Sequence, residues 1–442
     1  MRVRVSAACA LSLFLSTAPQ HAPHRVVAAT RAVDHIAVND NRSSAGTLVN
    51  KVLTVRLEVR EGEWHPDGDR DPGLVVRAFA EEGRTATIPG PLIRVPEGTE
   101  IHAFVRNSLR DSTLVVQGLS SRGAALSTDA DTIQIKPGAV REVRFVAGTA
   151  GTYYYRGTAG GGVHPTRGTI DSELVGALIV DPRGTAGPPR DRVFVIGLWS
   201  KIELVGGLVG RDNLLRFTIN GKAWPNTERL SYTVGDTVRF RIVNTSIAVH
   251  PMHLHGFYFN VESRGDGLRD SAFDPAGSPH RVVTERAAPG RTFTMSWVPE
   301  RPGNWMFHCH DNYHVLRNAP LDGSRLPAEH EVHVQNHALE MMGGLVMGIE
   351  VRDRGVAQTA AEPPARRRLR LVASIDSGGT AAEPAFRYVL QDRDRKTPAS
   401  DPLLAGPTIL LKRGEPVSIT VVNRLNEATA VHWHGIELDS YY

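Results

Sequence analysis

Three stretches of this chain share one spacing, and that spacing limits what the chain can fold into. RVPEGTEIHAFVRNS (94–108), YTVGDTVRFRIVNTS (232–246) and LKRGEPVSITVVNRL (411–425) each set a glycine nine residues ahead of an asparagine, at Gly98/Asn107, Gly235/Asn244 and Gly414/Asn423. Between them the residues alternate, as in Val238-Arg239-Phe240-Arg241-Ile242, and period two marks a strand with one buried face. Each glycine therefore opens a strand after a turn. A second pair of stretches follows the same logic. Pro137-Gly138 precedes the run from Gly151 to Thr158, and Pro289-Gly290 precedes the run from Gly303 to His310, with equal intervals from Gly138 to Gly151 and from Gly290 to Gly303. Strands rich in Val, Ile, Tyr, Phe and Trp, divided by Gly/Pro turns and without long helical periodicity, predict an all-β chain of tandem Greek-key sandwiches.

A length of 442 residues agrees, at about 150 residues per domain, with roughly three such units. The expected units are 48–185, 186–353 and a partial third at 369–442, with 354–368, which lacks alternation, as a linker. The third unit holds the first kind of stretch but not the second. Half a sandwich leaves an open edge and an unfinished core, so the sequence reads as a fragment. With 41% hydrophobic residues, 42 Gly and 28 Pro, disordered and collagen-like chains are excluded. Lys+Arg at 51 nearly cancel Asp+Glu at 47, and scattered arginines give little support for nucleic-acid binding. Residues 1–25 combine a basic start, an apolar run from Ser6 to Leu15 and small residues at Ser16-Thr17-Ala18, the pattern of an export signal leading to the periplasm or beyond. No later stretch approaches the ~18 apolar residues of a spanning helix, so a soluble mature chain is expected.

Only two cysteines occur, Cys9 and Cys309. Cys9 leaves with the signal, so Cys309 has no partner in an oxidising compartment and needs burial or a metal to protect it. It sits in one of three histidine clusters: HPMHLHG (250–256), HCHDNYH (308–314) and HWHG (432–435). On an extended strand alternate side chains share a face, so His253 pairs with His255, His308 with His310 and His432 with His434, while Cys309 points the other way. Six imidazoles can converge on one cluster, with Cys309, His314 and His250 forming a second centre behind it. A thiolate with two imidazoles and a weak axial neighbour is what a blue-copper site requires. One HxH pair alone is more often solvated than metallated, but three pairs around a lone cysteine signal a metal. Structural zinc usually takes four ligands and would leave most of these imidazoles idle.

These motifs, with HWHGIELDSYY at 432–442, resemble three of the four copper motifs of the multicopper oxidases, and among them the bacterial laccase-like enzymes. The resemblance implies cupredoxin-like sandwiches, two complete and one partial. It implies type 1 copper on His250, Cys309 and His314, type 2 copper on His253 and His432, and a type 3 pair on His255, His308, His310 and His434. By the same resemblance electrons enter near His314 or His250 and pass through Cys309 to His308 and His310. The partners implied are dioxygen, reduced to water, and a small aromatic reductant, a phenol or aromatic amine. A homo-oligomer is left open.

The sequence also departs from the family pattern. The fourth motif, another HxH, is not reached before Tyr442, and the type 1 unit precedes the HWHG unit. The three-metal cluster is therefore expected between the second and third units or between subunits. In the first unit Asn107 points to a histidine pair near Val116 and Gly118, and Gly151 to one at Arg156 and Thr158. None is there, so that unit is expected to be copper-free. The family's axial position falls at Ala319, followed by an insertion up to a strand from Met342 to Val351, which leaves Met342 or Leu345 as the axial neighbour. His330, His333, His337 and Met341 in the insertion read as a solvated surface loop, and Glu437 and Asp439 as surface charges rather than proton relays. Two alternatives stand: a copper nitrite reductase, which needs histidine on only one side of the cysteine, and a non-catalytic copper-binding electron carrier.

Overall fold

The computed structural model describes residues 34–122, 131–159, 168–185, 190–201, 204–205, 208–209, 214–274, 280–317, 319–322, 341–355, 366–376, 385–392, 406–426, 429 and 431–436. The expected export signal lies outside these residues, as do His330, His333, His337, Glu437 and Asp439. Among the described residues the fold is β throughout, and its one helical element is a 3₁₀ turn at Asn312–His314.

The glycine–asparagine spacing has a local cause. Gly98, Gly235 and Gly414 take φ of 85°, 83° and 81°, a left-handed conformation that only glycine adopts without cost. At the other end, the side-chain oxygens of Asn107, Asn244 and Asn423 accept from the amide two residues on, at 3.0, 3.0 and 2.9 Å. That turn releases the chain from the strand. In each case the strand ending at the asparagine runs parallel to an earlier one. Glu100–Asn107 lies beside Val52–Trp64, Val238–Asn244 beside Arg192–Lys201, and Val417–Asn423 beside Arg367–Asp376.

The first two of these sheets are each faced by a five-stranded sheet of matching order. Gly90–Pro96, Val175–Asp181, Gly151–Ala159 and Leu114–Gln117 are neighbours in one, and Leu230–Thr233, Val346–Arg352, Gly303–Cys309 and His250–Leu254 in the other. Inward residues of the alternating strands fill the two cores, with Val55, Leu57, Val105 and Tyr155 in the first and Phe240, Ile242, Phe293 and Phe307 in the second. The first sheet also draws in Ala37–Val38, ahead of the start at 48 expected from alternation. The last strand of the second sandwich begins at Val346 rather than Met342, which makes only an isolated bridge to Leu316. The third sheet, Ala385–Asp392, Arg367–Asp376 and Val417–Asn423, has its own apolar cluster with Leu369, Leu371, Ile419 and Trp433.

One sequence expectation is displaced. The Asn107 amide donates to Ser112 O, whereas Asn244 donates to Ala248 O, so the turn is one residue longer in the first sandwich. The counterparts of His253 and His255 are therefore Gln117 and Leu119, not Val116 and Gly118. The ladder agrees, pairing Arg156 with Gln117 as it pairs His308 with His253. Arg156 donates to Gln117 Oε1 at 3.0 and 2.9 Å, an amide–guanidinium pair where the second sandwich has two imidazoles.

The sandwiches meet along a seam of Leu92, Tyr154, Ala177 and Ile179 against Val193, Val195 and Val243. Four buried charges close its edge. Arg94 spans Asp181 and Asp191 at 2.7 Å each, and Arg241 holds the far side of Asp191 at 2.5 Å. Burial would push the Asp191 carboxyl up, but bonds from Arg94 and Arg241 hold it down at about 2.

Glu173 is the opposite case. It is buried, its carboxyl lies against Gly197 of the second sandwich, and Oε1 has no hydrogen-bond partner. Burial raises its pKa to about 7. The folded state thus holds a proton that the unfolded chain, with a glutamate pKa near 4.3, gives up. Its contribution is complete below about pH 4.3 and is lost as pH rises through 7. Between pH 5 and 8 the native chain should lose roughly 2–3 kcal/mol relative to Glu173→Gln. Urea unfolding of both proteins at the two pH values measures this, and parallel pH profiles would contradict it.

Candidate metal centre

The His250–Leu254 and Gly303–Cys309 strands are neighbours, with Met252 opposite Cys309 and His253 opposite His308. Period two sends opposed residues to the same face. Met252 and Cys309 enter the core of the second sandwich, whereas His253 and His308 emerge on the outer face. His255 and His310 continue that outer row beyond the strand ends. The pleat itself separates a thiol centre inside the sandwich from a histidine centre outside it.

Inside, His250 Nδ1, His314 Nδ1 and Cys309 Sγ form a triangle with edges of 3.1, 3.4 and 3.7 Å. Three ligand atoms about 2.0–2.3 Å from one ion span such distances. His250 Nε2 donates to Ser246 Oγ at 2.8 Å, leaving the Nδ1 lone pair to face the sulfur. The Phe217 ring packs on both imidazoles, 4.2 Å from His314 and 5.7 Å from His250 between centroids. Leu345 is fully buried, and its backbone accepts from Cys309 N and donates to His314 O, each at 3.0 Å. Met342 packs elsewhere, with Trp224, Met306 and Val346. Ala319 is engaged through its carbonyl by Arg216 at 2.5 Å.

Outside, the structure brings six imidazoles together within one chain. His255 stacks on His432 at 4.1 Å and His253 on His434 at 4.3 Å, while His310 meets His434 at 4.7 Å and His253 lies 5.5 Å from His308. Glycine shapes both HxHG turns: Gly256 and Gly435 each take φ of 73°, and a Cβ on Gly256 would lie 2.0 Å from the Trp305 ring. His253 Nδ1 donates to Val283 O at 2.8 Å and lies 3.0 Å from Thr284 Oγ1. Its Nε2 is buried without a partner. His308 Nδ1 donates to Cys309 O at 2.7 Å, so its Nε2 carries the lone pair and faces His255 Nε2 at 2.8 Å. Neighbouring ligands of one ion about 2 Å away approach this closely.

The protonation states fit a cation at both places. Burial, then neighbouring imidazoles, lowers His250 and His253 to about 3 and His308 and His432 to about 4. His255, His314 and His434 are also lowered, chiefly by burial. Burial pushes the Cys309 thiol up to about 12. Among the described residues, the two groups of converging donor atoms are made of imidazoles and one thiol and include no carboxylate. A positive ion fits both groups, and at the thiol centre it would make the thiolate accessible.

Family models described as multicopper oxidase match residues 205–318, and 83–185 with 387–441. The chain belongs to the multicopper oxidase family. Copper is the metal of that family, and the thiol–imidazole and imidazole groups fit it. Among curated proteins, this multicopper oxidase is 28% identical over 265 residues to a probable nitrite reductase–hydroxylamine oxidoreductase fusion protein of Kuenenia stuttgartiensis, covering 55% of this chain and 28% of that one. It is 32% identical over 100 residues to the multicopper oxidase MmcO of Mycobacterium tuberculosis, covering 23% and 18%. The matches thus span less than a third of these relatives' lengths. A crystal structure of a multicopper oxidase shares the fold, with a TM-score of 0.50 and 16% identity over 72% of this chain and 98% of that one. No helix among the described residues is long and apolar enough to cross a membrane.

All nine residues singled out from the sequence lie in one or other group. Ser246, Phe217, Val283 and Thr284 were not legible as site residues. Ser246 had a signal, since it ends the Asn-Thr-Ser turn four residues before His250, but the others reach the site only through sheet packing. Hydrogen-bond partners of ligating imidazoles typically govern metal affinity by 10–100-fold. Ser246→Ala should therefore weaken copper binding at the thiol centre by about that factor, read by titrating the thiolate-to-copper absorption. Unchanged affinity would show that Ser246 does not orient His250.

Proposed function

We propose that the chain is a laccase-like multicopper oxidase that oxidises phenols or aromatic amines one electron at a time and reduces dioxygen to water. Its cupredoxin-like units are 48–185, 186–353 and the partial 369–442. His250, Cys309 and His314 hold type 1 copper, His253 and His432 type 2, and His255, His308, His310 and His434 the type 3 pair. Export to the periplasm or beyond belongs to the same reading. Copper, when bound, supplies one-electron redox chemistry: four electrons withdrawn singly from donors match one dioxygen taken with four protons to two waters.

The observation that carries this reading is the position of Cys309. Its side chain turns into the sandwich while its two chain neighbours turn outward, so unbroken covalent bonds run from the sulfur to the imidazoles of His308 and His310. The His308 Nδ1–H donated to Cys309 O at 2.7 Å adds a second, hydrogen-bonded route between them. His250 keeps its proton on Nε2 toward Ser246, and His253 and His308 keep theirs on Nδ1 toward carbonyls, so each presents one fixed lone pair. His314 lies nearer the surface than His250 and is where a donor reaches the thiol centre.

Leu345, bonded through its backbone to both Cys309 and His314, would be the axial neighbour of a copper held there, since Met342 packs with Trp224, Met306 and Val346 instead. Leucine leaves three strong ligands and a high potential, and a methionine sulfur lowers it. Leu345→Met should shift the reduction potential of the blue centre downward in a redox titration, and an unmoved potential would remove Leu345 from the axial position.

Nitrite reduction is the second reading, favoured by the likeness to the Kuenenia relative. His310, 4.7 Å from His434 and 5.4 Å from His253, argues for the oxidase, because histidine on both sides of the cysteine suits coupled coppers. With copper-loaded protein and a phenolic donor, oxygen uptake at four electrons per dioxygen is expected, without nitrite consumption. Nitrite turnover without oxygen uptake would reverse the assignment.

A further inference from the structure

The His432–His434 segment is held differently from the other two histidine pairs. His253 and His308 are fixed by a β-ladder, whereas residues 431–436 belong to no strand. Trp433 anchors the segment to its own sheet, in the cluster with Leu369, Leu371 and Ile419. By alternation His432 and His434 face away from that cluster, toward the second sandwich. Among the described residues no ladder pairs the segment with the strand that carries His253.

Besides the imidazoles, two side chains of the second sandwich reach the segment among the described residues. Thr284 Oγ1 lies 3.4 Å from His434 Nε2, at the long limit of a hydrogen bond. Tyr258 OH donates to Gly435 O at 2.9 Å. Tyr258 follows His255 by three residues, so the loop that presents one imidazole of the centre also grips the turn behind another. Its ring is further held by the Arg281 guanidinium, 5.1 Å from the ring centroid. Gly435 makes the bond available: its φ of 73° turns the chain directly after His434.

We propose that Tyr258 is a positioning residue, the latch that seats the His432–His434 segment on the six-histidine centre. The proposal rests on the oxidase reading for its consequence, that copper outside the sandwich depends on the latch while copper at Cys309 does not. The latch itself is a property of the metal-free chain.

Tyr258→Phe removes one oxygen and keeps the ring. In the metal-free full chain, hydrogen–deuterium exchange of the amides at 431–436 should become about fivefold faster, the factor set by one net hydrogen bond. Exchange in the Gly303–Cys309 strand should not change. In a copper titration the blue absorption should fill as in the unaltered protein, while the paramagnetic copper outside the sandwich binds roughly fivefold more weakly. Unchanged exchange at 431–436 would overturn the latch, as would equal weakening of both centres. Absence of any copper outside the sandwich in the unaltered protein would sink the oxidase reading, and the exchange experiment would still decide the latch.

Discussion

The whole arrangement depends on the pleat of a single strand. Gly303–Cys309 is paired on both sides, to His250–Leu254 and to Val346–Arg352, so its register is fixed and a one-residue slip would turn every side chain to the wrong face. In the observed register Trp305, Phe307 and Cys309 enter the core, and Met306 and His308 leave it. Two metal environments of different character thereby sit one residue apart. Buried aromatics such as Phe240, Phe293 and Phe307 specify the register, so the hydrophobic core determines where the sulfur points.

Burial has an electrostatic consequence. A thiol raised to about 12 and imidazoles lowered to between about 3 and 4 are uncharged at neutral pH. Proton competition for the histidines is therefore weak above pH 5, which favours metal binding. One ring nitrogen of these histidines, His253 Nε2, is buried with no partner, whereas His255 and His308 are paired with each other through their Nε2 atoms at 2.8 Å. An unpaired buried polar atom costs about 1–3 kcal/mol, so, for the histidine cluster, the fold offsets the burial of His253 Nε2 elsewhere. The surrounding ladder, with its tightly packed core, holds that cluster open.

Much of this was legible in the sequence because two periodicities carried it. Alternation located the strands, the Gly98, Gly235 and Gly414 turns began them, and the HxH pairs with the HCH run at 308–310 assigned faces without reference to tertiary structure. What escaped depended on distances that sequence does not encode. The one-residue lengthening of the Asn107 turn moved the comparison from Val116 to Gln117, because a loop insertion is silent until a hydrogen bond shows where the loop closes. Phe217 belongs to a strand of the opposite sheet, and only the thickness of the sandwich brings it to His314. The backbone bonds that tie Leu345 to Cys309 and His314, while Met342 packs elsewhere, likewise leave no trace in the sequence. The burial of Glu173 carries no sequence signal, because it comes from packing of its carboxyl near Gly197 of the second sandwich.

The two halves of the histidine centre differ in rigidity. His253, His255 and His308 come from the second sandwich and are set by its ladder or by the turn at Gly256, where Trp305 leaves no room for a side chain. His432 and His434 are more exposed, and they reach the centre from a segment outside any ladder. Ligands brought together from a rigid and a less constrained element pay their ordering entropy when the ion arrives. The thiol centre, with all three ligands in one sandwich, carries no such cost. Metal affinity should accordingly be graded by architecture, tighter inside the sandwich than outside it, even though the outer centre has three times as many imidazoles on hand.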